Sequence, residues 1–71
     1  MDATAIIISN IKDLIASKGL KQKAIAEKSG FTPRSFSDLM NGRKRLGAEH
    51  IPAIANALGV TPNDIFRQKS N

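Results

Sequence analysis

The sequence contains no cysteine, tryptophan or tyrosine, and three phenylalanines are its whole aromatic content. Without cysteine neither a disulfide nor a thiolate metal site can form, which fits a reducing compartment. One histidine, His50, with no carboxylate cluster beside it in the sequence, is too little for a metal centre. It reads instead as a surface residue at the start of a helix. No nucleophile–base pair and no glycine-rich phosphate loop stands out. An enzyme, a cofactor and a small-molecule ligand are therefore not expected. Long hydrophobic runs are lacking too. The opening MDATAIII has no basic leader region and is too short an apolar stretch for a signal peptide or a membrane span. A soluble, cytoplasmic protein with no membrane partner is the expectation.

What is present is small and basic. Seventy-one residues allow a single domain, here 1–71, with an ordered core over about 4–66 and a polar tail over 67–71. A chain of this size buries only about 60% of its unfolded surface. Isoleucine, leucine and alanine carry the core, which favours packed helices. The net charge of +5 is unevenly distributed. Residues 1–17 carry a net −1, residues 46–71 are neutral, and residues 18–45 hold eight Lys or Arg against two acids, a net +6. The middle of the chain is thus the candidate face for a polyanion.

Apolar spacing is helical throughout. Ile7, Ile11 and Leu14 predict a first helix from about Thr4 to Ser17, with Lys18 and Gly19 at its end. A second short helix fits Gln22 to Lys28 and stops at Ser29-Gly30. Thr32-Pro33 opens a third, because Thr caps well and Pro at the first helical position gives up only an N–H that has no partner there. It runs to Met40 and stops at Asn41-Gly42, before the basic loop Arg43-Lys44-Arg45. A fourth helix covers roughly Ala48 to Leu58, with an irregular first turn or a start as late as Ile51, since Pro52 lacks a donor. Thr61-Pro62-Asn63-Asp64 repeats the cap-plus-proline signal and opens a fifth helix through Phe66. The fold class expected is all-α, a compact five-helix bundle.

The second and third helices form a helix-turn-helix unit. Ala26 is small enough for a close crossing, Gly30 tolerates the turn, and Phe31 can fold back beneath it. Around the third helix, at roughly 100° per residue, Phe36 and Leu39 define a buried direction. Pro33, Arg34, Ser37, Asp38 and Asn41 face the opposite way, with Ser35 and Met40 on the flanks. This outward face is short and polar, suited to the major groove. Arg34 can bond guanine in bidentate fashion, Asp38 can accept from cytosine or repel phosphate at a wrong register, Ser37 can donate or accept, and Pro33 can touch a thymine methyl. Lys21, Gln22 and Lys23 at the start of the second helix, and Asn41, Arg43, Lys44 and Arg45 beyond the third, are positioned for phosphates on either side of the groove.

Through KGLKQKAIAEKSGFTPRSFSDLMNGRK and IANALGVTPNDIF, residues 7–66 resemble the lambda-repressor and Cro (XRE-like) family of helix-turn-helix domains. The resemblance implies a five-helix bundle, a homodimer on double-stranded DNA with a palindromic operator, and repressor-type control. It also implies phosphate contacts from Gln22 and Asn41 and base contacts from Pro33, Arg34 and Asp38. The chain departs from the family pattern at Lys21, Pro33 and Asp38, and at Ile8 and Ile15, which form a second apolar line on the first helix. Either the C-terminal segment with Phe66 covers that line or a partner does. A dimer interface is expected around the fifth helix at Val60, Ile65 and Phe66. The functional class expected is a repressor of phage, mobile-element or restriction-control type. The alternatives are an antitoxin that also binds its toxin, and a protein-interaction module without DNA binding.

Overall fold

Apolar residues at helical spacing fold into five helices: α1 Ala3–Ser17, α2 Gln22–Lys28, α3 Pro33–Met40, α4 His50–Leu58 and α5 Pro62–Phe66. The computed structural model describes residues 3–67, so the polar tail beyond Arg67 lies outside the described residues. Helix α2 packs on α3 and α4, α5 on α1 and α4, and α1 reaches α3. One core joins all five helices through Ile11, Ile15, Ile25, Ala26, Phe36, Leu39, Met40, Ile51, Ile54, Ala55, Leu58 and Ile65.

The helix-turn-helix is held by local geometry that the residues dictate. Ala26 is fully buried where α2 meets its neighbours. Gly30 takes φ +85°, a conformation that costs a side-chain-bearing residue dearly. That left-handed residue brings the Phe31 N–H back onto the Ala26 carbonyl at 2.9 Å. The returning Phe31 ring packs 5.9 Å from Phe36 and edge-on, 5.1 Å, against His50.

His50 is therefore not the surface residue that its helix-start position predicts. It is half-buried, and its Nδ1 accepts the Gly47 N–H at 3.1 Å. The Gly47 carbonyl in turn accepts the His50 N–H at 3.0 Å, which starts α4 as a single tight turn. Pro52 has no N–H to give to Ala48, and Ile51 bonds that carbonyl instead at 3.2 Å. The irregular first turn expected from Pro52 is present in this form.

Ile8 and Ile15 part company. Ile15 belongs to the core, whereas Ile8 is half-buried and lines an open groove with the loop Gly42–Leu46 rather than lying under the C-terminal segment. Phe66 sits instead beside Ile7, Leu46 and Ile51. One element is absent from the expectations: Asn10 is buried, and its amide donates to the carbonyls of Ile65 at 2.7 Å and Arg67 at 2.6 Å. It holds the last turn of α5 against α1.

Candidate nucleic-acid interface

The site is built on α3, whose two sides have opposite chemistry. Phe36 and Leu39 are fully buried, and Met40, expected on the flank, is buried with them. On the other side Pro33, Arg34 and Asn41 are exposed, and Ser37 and Asp38 are partly so. The helix starts on Thr32, whose hydroxyl accepts the Ser35 N–H at 3.1 Å, followed by Pro33 at the first helical position. It ends at Gly42, φ +74°, where Gly42 N–H bonds Leu39 O at 3.2 Å and Arg43 N–H bonds Asp38 O at 2.8 Å. These paired bonds satisfy carbonyls that a helix end otherwise leaves open. The chain reverses there, and the basic loop returns along the helix.

The return brings polar groups together in pairs. Lys44 Nζ donates to Ser35 Oγ at 2.8 Å and lies 6.0 Å from the centre of the Phe31 ring. Arg43 Nη1 stands 3.7 Å from Asp38 Oδ1. Asn41 Nδ2 donates to Ser37 Oγ at 3.3 Å. Of the residues singled out from sequence, Ser37 pairs with Asn41 and Asp38 with Arg43 towards the far end of α3, while Lys44 reaches back to Ser35 in its first turn. Arg45 is exposed beside them. Lys21, Gln22 and Lys23 are all exposed at the start of α2, where no side chain caps the first turn. Free amides there complement an anion.

The sequence reading missed three features. The Lys44–Ser35 bond links residues nine apart and depends on the chain reversal at Gly42. His50 and Asn10 are the others, and Asn10 alone had a visible signal, as a polar residue in the apolar stripe of α1. The expected dimer contact at Ile65 is corrected: its side chain is fully buried in the core. Phe66 is 50% exposed and Val60 half-buried, so these two do reach the surface. In a five-residue helix neighbouring Ile and Phe give no periodicity from which to choose the inward one. Among the described residues no three His, Asp or Glu side chains gather closely enough to hold a metal ion, and no helix is long and apolar enough to cross a membrane.

Comparison with known proteins agrees with this geometry. The sequence profile of the Cro/C1-type HTH DNA-binding domain matches residues 10–69. An uncharacterized HTH-type transcriptional regulator, y4dJ, from Sinorhizobium fredii (strain NBRC 101917 / NGR234) is 34% identical over 61 residues, covering 86% of this chain and 79% of that protein. Two crystal structures of the clp gene regulator ClgR from Corynebacterium glutamicum superpose with a TM-score of 0.82 at 26% identity. They cover 92% of this chain and 84% and 69% of theirs.

Proposed function

The chain belongs to the Cro/C1-type helix-turn-helix DNA-binding family, whose members are transcriptional regulators, and from that premise we propose that it is a sequence-specific repressor acting as a homodimer on a palindromic operator. The observation that carries this reading is the outward side of α3: polar, unpacked and bordered by cations, over an inward side that is wholly core. A helix presented in this way fits the major groove of B-form DNA.

Arg34 and Ser37 face base edges, and Pro33 offers an apolar contact to a thymine methyl. Lys21, Gln22 and Lys23 hold the phosphates on one side of the groove, and Asn41, Lys44 and Arg45 those on the other, which sets register. The half-exposed Phe66 with Val60 forms the dimer face, so that two α3 helices meet half-sites about one helical turn apart. Membership of the Cro/C1-type family supports placing it among repressors of phage, mobile-element or restriction-control type.

Titration of labelled duplex DNA at increasing salt tests the reading. With about six to ten phosphate contacts per dimer, affinity should fall by roughly 10³–10⁵ between about 50 and 200 mM salt. A salt-insensitive or undetectable association would reject DNA binding through this basic border.

A further inference from the structure

We propose that Arg43 reads a base, a guanine edge in the major groove, and that Asp38 is the positioning residue that aims it. The proposal rests on the operator reading above and moves Arg43 from the phosphate group, where its place in a basic run had put it, to the recognition surface.

The backbone comes first. Gly42 at φ +74° turns the chain back, and both Arg43 N–H and Lys44 N–H bond the Asp38 carbonyl, at 2.8 and 3.3 Å. Arg43 is thereby locked over the last turns of α3, on the arc that carries Asp38. Its guanidinium then lies 3.7 Å from the Asp38 carboxylate, with the arginine side chain 73% exposed and the aspartate 33% exposed. The carboxylate thus sits closer to the helix surface and the guanidinium projects beyond it.

A phosphate clamp has little use for such a pair. Together the two side chains carry no net charge, so they displace few counterions, and the carboxylate repels a phosphate placed beside the guanidinium. Lys44 and Arg45 next to them serve that purpose better, since the Lys44 partner is a neutral hydroxyl. A guanine edge is different. It is uncharged and shows two acceptors, O6 and N7, that match the planar guanidinium fork. Five N–H donors let one edge of the guanidinium stay with the carboxylate while another meets the base. The carboxylate also holds a long, rotamer-rich side chain in place before DNA arrives, which lowers the ordering cost of reading.

Selection of bound duplexes from a random pool, run with the full chain, Arg43→Lys and Asp38→Asn, tests this. Arg43→Lys keeps the charge but loses the fork. It should flatten the preference for guanine at one base pair per half-site by about ten-fold while leaving binding to random DNA unchanged. Asp38→Asn should flatten the same base pair by a few-fold, with an unaltered thermal melt. An intact motif with uniformly weaker binding for Arg43→Lys would return Arg43 to the phosphates and overturn the proposal. Flattening at a different base pair in Asp38→Asn would make the aspartate a reader in its own right and overturn its positioning role. A wild-type pool with no motif would overturn the operator reading itself, an outcome distinct from an intact motif that ignores both variants.

Discussion

Helices α3 and α5 open with the same dipeptide, Thr32-Pro33 and Thr61-Pro62, yet their third helical positions differ, a neutral hydroxyl in one and an acid in the other. In α5 that position is Asp64, whose carboxylate accepts the Thr61 N–H and hydroxyl, both at 3.0 Å, and the Arg67 guanidinium at 3.3 Å. In α3 it is Ser35, whose hydroxyl holds the Lys44 ammonium at 2.8 Å. An acid satisfies the free amides and positive end of a helix from within the protein. A lysine there does the reverse and adds positive charge beside the helix start. The difference teaches that the start of α5 is closed by a negative charge of its own, whereas the start of α3 has only its neutral Thr32 cap and a cation beside it. Among the described helices α5 alone has an acid in its first turn.

Breaking the part that the two helices share has the largest expected effect. Each is anchored by a fully buried side chain, Phe36 in α3 and Ile65 in α5. Phe36→Ala should lower unfolding free energy by about 3–5 kcal/mol and Ile65→Ala by about 2–5 kcal/mol in urea denaturation. In a domain of this size either loss approaches the total stability. Near-wild-type midpoints for both would mean that the core does not hold the recognition helix as described.

Transplanting the α5 device sharpens the contrast. Ser35→Asp would give α3 a capping acid and Lys44 an anionic partner. The melting temperature should hold or rise, while affinity for operator DNA should fall by about ten- to a hundred-fold, since like charges are then brought face to face across the interface. Equal affinity in Ser35→Asp and wild type would show that this helix start lies away from the phosphates.

Local signals made most of the fold legible. The two Thr-Pro caps and the stops at Gly19, Gly30, Gly42 and Gly59 are short-range backbone chemistry, and α2 and α3 match their expected ends residue for residue. The outward arc of α3 was legible as well, because a strong 3.6-residue pattern separates Phe36 and Leu39 from Arg34 and Ser37. What could not be read needs contacts between distant residues. Asn10 reaches residues 55 and 57 positions away, and His50 is drawn in by Phe31 across the turn. The Asp38–Arg43 pairing lay between these cases. Both residues were visible as charged, but only the reversal at Gly42 decides that they meet.

The smallest expected effect isolates the closed helix end. Hydrogen bonds from the Thr61 backbone and then from its hydroxyl hold the Asp64 carboxyl below its ordinary range, with Arg67 and Lys18 adding charge attraction. A carboxyl whose pKa is lower folded than unfolded stabilises the fold above the unfolded value, about 3.9, and loses that contribution as pH falls through the folded one. Asp64→Asn should therefore melt slightly below wild type at neutral pH, and the gap should close as the pH falls below the ordinary carboxylate range. A gap that widens in acid would reverse the assignment of the stabilising form. Affinity for DNA at neutral pH should not change, because this acid closes a helix end that faces Arg67 and the α1 terminus rather than the groove. If removing Asp64 weakened DNA binding as strongly as adding the acid at Ser35, the two helix starts would not be functionally opposite, and the contrast between α3 and α5 would have to be explained by packing alone.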